Sequence, residues 1–401
     1  METNSRTTVV SSQRQRTNIP FECHSSQAHS TNRLCKPDEY HLNVFTHCTA
    51  TPKFNIMSRA LDKDAISSIN ASDSQKVYDD VVKVLGPYYS LSHELIDFEL
   101  LGKGQLPENV NTVVLENSVG IPKIKLVQAF VIARKVFFKF KDLGTEYSKE
   151  IRDATSVILL TDPEHLTACN ARKRLIQSIR TKSVSELEMD LKSELRFVDS
   201  LLTSHLNRHT KSPTLWSHRR WLLELCQSKD LPLNVSRDLT LVVMVAAERH
   251  PRNYYAWSHM RWLMKSVEGD ETAYLTIIHN VKKWCLGHPG DTSGWSFLLS
   301  CLSSPTFLTA TSPIDQKSLT CEEVIGMAIS LRWKEESLWV FLRTLVASGN
   351  ITEKCRFAFL QTLEDFKNSS DDARGQRISQ SAHEWYLEYG PDIRVPQSIK
   401  T

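Results

Sequence analysis

Nothing in this 401-residue sequence approaches eighteen consecutive apolar residues, and the first twenty lack the apolar core of a secretory signal. The first absence excludes a spanning helix and the second argues against secretion, so the expected compartment is cytoplasmic. Glycine is scarce, at 13 residues, and Gly102 and Gly104 do not make a nucleotide loop: no strand is read before them and no helix directly after. A large excess of one charge is also missing. With 49 Lys+Arg against 46 Asp+Glu the net charge is +3, which gives no case for a nucleic-acid partner. Nine cysteines occur without the spacing of a zinc site or a disulfide scaffold; they read as reduced core thiols, and Cys285 with His288 makes only a lone C-x-x-H. No metal is expected on this chain. The closing Ser-Ile-Lys-Thr has no cysteine near it to accept a prenyl group.

What the sequence does hold is tryptophan in a repeated frame. KSPTLWSHRRWLLEL at 211–225 and RNYYAWSHMRWLMKS at 252–266 align without a gap on Trp216 and Trp257. Ser212 and Asn253 stand four residues ahead of these anchors as N-cap residues, and Pro213 falls at the first helical position, where a missing N–H costs nothing. Each stretch therefore starts a helix. The anchors and Trp221, Leu222, Trp262 and Leu263 recur at roughly helical spacing, so they form a buried face, with Arg219, Arg220 and Arg261 expected at other azimuths. The same frame returns at Cys169, at Trp295 behind Pro289 and Asp291, and more weakly at Trp339. Anchor separations of 47, 41, 38 and 44 residues fit one helix pair per repeat. The fold expected is all-α, a right-handed crescent of five helical hairpins forming an α-α superhelix.

Residues 1–72 are expected to be a disordered extension, because 1–56 are polar and aperiodic. The run from Glu2 to Glu22 has no acid and three arginines, a composition shared by transit peptides, but a floppy tail ahead of a usable start at Met57 is the blander reading. Residues 73–160 are read as N-terminal helices, at 73–85, 122–142 and 146–160, with a punctuated connector at 101–122 in which Thr112–Leu115 could run extended. The repeats occupy 161–367, their second helices near 184–207, 234–249, 270–286, 319–331 and 352–367, interrupted by a Ser/Thr/Pro loop over 302–320. A loop, a short helix and a tail fill 368–401.

The pattern over 163–343 resembles the α-subunit repeat of protein prenyltransferases, whose signature is Pro, a capping Asn, Tyr, Trp, then His two later and Arg three later; Arg252 to His259 and Lys211 to Arg220 carry it. Asp291-Thr-Ser-Gly294 and Val114-Leu-Glu-Asn117 point to the branch of α-subunit repeat-containing proteins. The resemblance implies a helical-hairpin α subunit embracing a separate β subunit that carries zinc and most of the isoprenoid cavity. It also implies a prenyl diphosphate co-substrate, with Lys211 and Tyr254 as catalytic residues near the diphosphate. On that branch the partner is the β subunit of Rab geranylgeranyltransferase, and the acceptor of the geranylgeranyl group is a SNARE already farnesylated. Tyr255 stands where farnesyl-transferring members often have histidine. Cys169 replaces an anchor Trp, and Met260, Leu298 and Leu342 replace the Arg three residues on.

Trp216, Trp221, Trp257, Trp262, Trp295 and Trp339, with Arg219 and Asn253, are taken as structural anchors of the repeats, and His218 and His259 as hydrogen-bonded structural residues. Lys211 and Tyr254 could equally be an ordinary solvated lysine and a filler tyrosine. The competing function is a non-catalytic helical scaffold of the tetratricopeptide kind, disfavoured because that repeat runs at about 34 residues with a different code.

Overall fold

A computed structural model describes residues 71–86, 95–178, 184–304, 313–368 and 373–391. The extension expected over 1–72 lies outside the described residues up to residue 70, as do Cys23, Cys35, Cys48 and the tail past 391. Helix α1 (Ala71–Leu85) comes first, burying Val77, Val81 and Val84 along one face.

The connector folds as a small sheet. Strands β1 (Asp97–Leu101), β2 (Val113–Leu115) and β3 (Ser118–Pro122) lie in the order β1-β3-β2, β3 parallel to β1 and antiparallel to β2. A strand thus does precede Gly102, against the sequence reading, because only two of its five positions are buried and its apolar pattern is faint. Gly102 then leads into a turn and a hairpin rather than a helix, so no phosphate loop results. Gly120 is demanded by packing: a Cβ there would lie 2.8 Å from Val113 Cγ1 and 2.9 Å from Leu101 Cδ1.

Helices α2 (Lys123–Phe140) and α3 (Ser148–Thr161) pack on each other and on α1. The repeats come next as five pairs. Their first helices are α4 (Leu166–Ser178), α6 (Pro213–Gln227), α8 (Tyr254–Leu263), α10 (Thr292–Leu302) and α12 (Glu336–Ala347). Their second helices are α5 (Val184–Leu202), α7 (Val235–Asp238, a π-helical Leu239–Val243 and Met244–Arg249), α9 (Glu271–Gly287), α11 (Pro313–Ser330) and α13 (Glu353–Asn368). Helix α14 (Ala373–Tyr389) packs against the last pair. The chain is an α-α superhelix. The loop expected over 302–320 is shorter than its composition suggests, since Pro313 opens α11 as a residue tolerated in a first helical turn.

The anchors work as the spacing requires. Trp216, Trp257, Trp295 and Trp339 are at most 4% exposed. Each of the first three packs on the residue two past the next anchor: Trp257 stacks on Phe297 at 5.2 Å between ring centres, while Trp216 on His259 at 5.1 Å and Trp295 on Phe341 at 4.9 Å are tilted pairs. The indole N–H of Trp216 donates to Thr210 O (2.9 Å), that of Trp295 to Pro289 O (3.0 Å) and that of Trp339 to Trp333 O (3.0 Å), always six residues back. Trp221 and Trp262 are only half-buried and serve as platforms for cations of the preceding repeat, Lys173 at 5.4 Å and Arg220 at 5.0 Å.

Candidate functional site

Two buried polar clusters explain the His-Arg part of the frame. Arg172, three past the first anchor, forks onto Glu194 of α5 through Nε–Oε1 and Nη2–Oε2, both 2.7 Å, and His218 of the next repeat meets Glu194 Oε1 at 2.9 Å. Burial by itself would raise the Glu194 carboxyl, but the Arg172 guanidinium and the bonds from Arg172 and His218 override it and hold the group below the usual carboxylate range. The second cluster repeats the plan one repeat on. Arg219 donates from Nε to Asp199 Oδ1 (2.7 Å) and from Nη2 to Asp238 Oδ1 (2.8 Å), while its Nη1 lies 2.7 Å from His259 Nε2. Burial and then the Arg219 charge keep His259 well below the ordinary histidine range, so the ring is neutral and Nε2 accepts.

Arg219 is therefore corrected from an outward azimuth to the interior, 1% exposed, because two carboxylates on neighbouring second helices neutralise it there. Asp199, Asp238 and Glu194 had no signal in the sequence: the acid falls 22 residues after Arg172 but 19 after Arg219, on helices of different length. Where Met260 removes the arginine, Phe297 also replaces the next histidine, and both are fully buried. The pair is exchanged as a unit.

The loops leading into the first helices form a rim, and hydrogen bonds tie one loop to the next. Ser212 caps α6 by accepting from Leu215 N (3.0 Å) and donates to Pro163 O (3.1 Å). Asn253 caps α8, accepting from Ala256 N (3.3 Å), and donates from Nδ2 to Thr210 O (2.8 Å). Asp291 caps α10 through Gly294 N (2.8 Å) and its other oxygen accepts the Arg252 N–H. The Asn253–Thr210 bond brings the backbone of Lys211 beside that of Arg252, Asn253 and Tyr254, which are 40-odd residues distant in sequence. Lys211 is half-buried, and burial lowers its ammonium against the opposing pull of Asp291, with a smaller push from the Arg252 charge. It makes no hydrogen bond or ion pair among the described residues. Tyr254 is 62% exposed, its ring edge-on to Tyr255 at 5.7 Å.

The other candidates stay structural. Cys285 is buried, while His288 lies on the Trp284 ring at 4.1 Å and bonds Trp284 O through Nδ1 (2.8 Å). Cys169, Cys226, Cys301, Cys321 and Cys355 are buried free thiols as well. Among the described residues no group of three His, Cys, Asp or Glu could hold a metal ion, and no helix is long and apolar enough to cross a membrane.

Comparison with known proteins places this geometry. The protein prenyltransferase alpha subunit repeat family matches residues 191–226, and the ECM9 middle domain family matches 215–324. The protein prenyltransferase alpha subunit repeat-containing protein 1-B of Xenopus laevis is 32% identical over 114 residues, 28% of this chain and 23% of that protein. Protein prenyltransferase alpha subunit repeat-containing protein 1 of Homo sapiens is 28% identical over 236 residues, covering 53% of this chain and 55% of the relative. The geranylgeranyl transferase type-2 subunit alpha of Mus musculus is 35% identical over 102 residues, 25% of this chain and 17% of that subunit. The matches thus span between under a fifth and about half of the relatives' own length. Anchors, caps and Arg–acid–His clusters that recur in one frame, together with these matches, make the central helices of this chain similar to the protein prenyltransferase α-subunit repeat.

Proposed function

We propose that this chain is the α subunit of a heterodimeric protein prenyltransferase, transferring a geranylgeranyl group to a protein cysteine, with an already farnesylated SNARE as acceptor. The transfer forms a thioether at the acceptor sulfur and breaks the bond between the first isoprenoid carbon and the diphosphate oxygen, so negative charge collects on the leaving diphosphate. A zinc-bearing β subunit of the Rab geranylgeranyltransferase type would hold the acceptor cysteine as its thiolate, the thiol proton passing to solvent, and would provide the isoprenoid cavity. The observation that supports this reading is the rim: the Asn253–Thr210 bond sets the backbone of Lys211, half-buried and without an ion pair among the described residues, beside that of Tyr254, whose side chain is exposed. A preorganised, partly desolvated cation is what stabilises charge developing on a leaving group.

The test is single-turnover kinetics on heterodimers reconstituted with that β subunit. Lys211→Ala should slow transfer by on the order of a hundredfold if closure by the partner dries the site, and leave heterodimer affinity nearly unchanged. Tyr254→Phe should act in the same direction but less. Wild-type turnover in Lys211→Ala would remove the catalytic role, and absence of transfer with every prenyltransferase β subunit would leave the chain a scaffold.

A further inference from the structure

Arg252 has a backbone that its side chain does not explain. Its φ is +59°, in the left-handed region that a non-glycine residue occupies at a cost, one of four such residues among those described. Two bonds hold it there: its N–H donates to the capping carboxylate of Asp291, and its carbonyl accepts from Tyr254 N (2.9 Å). The guanidinium makes no hydrogen bond, ion pair or ring contact among the described residues. Beside it stands Lys211, equally unpaired and half-buried, placed by the Thr210–Asn253 bond. Behind Lys211, His250 keeps a buried Nδ1 with no partner, and burial followed by the Lys211 charge lowers this ring below the usual histidine range. Among the described residues the carboxylate that acts on Lys211 is Asp291, which has one oxygen on Gly294 N and the other on Arg252 N. Two cations, one half-buried and one exposed, therefore stand near one acid whose oxygens are already bonded to backbone amides, so neither cation is held by that carboxylate in an ion pair.

We propose that Arg252 is the second cation of an anion site on this rim, where Lys211, Arg252 and the free His250 nitrogen take a diphosphate-type group, with Asp291 as the residue that fixes the Arg252 backbone. The inference rests on reading the rim as the edge that meets a diphosphate. The two cations differ in setting. Arg252 is exposed, so its pull acts through water and is screened by salt, whereas half-buried Lys211 is screened less. Arg252 gathers and orients the anion; Lys211 stabilises it in place.

The experiment is a phosphorus NMR titration of inorganic pyrophosphate against the full chain, without any β subunit. Arg252→Gly removes the charge while supplying the residue best suited to a positive φ, so the fold is retained, as a melting curve checks. It should weaken binding by about threefold to tenfold at low ionic strength, from the attraction of one charge to a multiply charged anion in a high-dielectric setting. That difference should vanish near about 1 M salt, where the screening length is about 3 Å. Arg252→Lys should restore binding, and Lys211→Ala should weaken it at both salt concentrations. Pyrophosphate binding by Arg252→Gly equal to wild type at low salt, or no binding by the wild-type chain, overturns the proposal. Because no transfer assay is involved, a failure to find prenyltransferase activity would count against the function and leave this result standing.

Discussion

Replacing Arg219 by methionine keeps much of the side-chain volume and removes the one cation between two buried acids. In the folded chain Asp199 and Asp238 are 2% and 6% exposed and Arg219 1%, so no water replaces the lost partner. Removing one partner of a buried ion pair typically costs about 3–5 kcal/mol, mostly the penalty of the stranded charge. Here two carboxylates are stranded and the upper half of that range applies near neutral pH. The deficit should depend on pH. Burial already raises the Asp199 carboxyl against the pull of Arg219, and without the arginine it rises further above its unfolded value. A carboxyl whose folded value is raised destabilises above that value and is relieved as it takes up a proton, so the deficit should shrink as pH falls from 7.5 toward 5. His259, freed of the Arg219 charge, gains protons over the same window and adds to the relief. The assay is urea unfolding of the full chain at several pH values. Adding Asp199→Asn and Asp238→Asn should recover more than half of the loss. A deficit under about 1 kcal/mol at pH 7.5, or one constant down to pH 5, would refute the claim that this cluster is a closed electrostatic unit.

Three further outcomes are expected. Burial pushes His209 down to about 4, and a histidine with a lowered folded value gives stability that is complete above about 6.5 and lost as pH falls toward 4; the wild-type chain should lose about 2 kcal/mol between pH 7 and 5 at this group, read as a urea midpoint that His209→Gln makes less pH-sensitive. Gly294→Ala should lower the melting temperature despite the higher helix propensity of alanine, because its Cβ would stand 2.6 Å from Trp284 Cζ3; overpacking costs about 1–3 kcal/mol against about 1 gained, and a rise in melting temperature would count against the packing described. Trp257→Ala, at a ring that is 0% exposed and packed on Trp284 and Phe297, should cost about 3–5 kcal/mol and abolish co-purification with a β subunit, in contrast to the folded Lys211→Ala chain.

The sequence by itself determined the parts of this protein that depend on local periodicity. Ser212, Asn253 and Asp291 announce helix starts because a side-chain oxygen reaches an amide only three residues on, and the anchor spacing counts the repeats because one buried anchor, Cys169 and then four tryptophans, recurs in every pair. The first and second helices of the repeats were legible for that reason, to within a few residues at most ends. The sheet was faint: its strands are three to five residues long and show little alternation, and β3 finds its parallel partner β1 past the intervening strand β2, which no local pattern encodes. Lys211 and Tyr254 were placed through a resemblance, but their neighbourhood was not. That Asn253 bonds Thr210 across two repeats, that Asp291 pins Arg252, and that Arg219 turns inward to Asp199 and Asp238 were decided only when helices stacked. The physical reason is common to all three: a charge or a carbonyl has no preferred partner along the chain, and the tertiary structure selects one by where it excludes water.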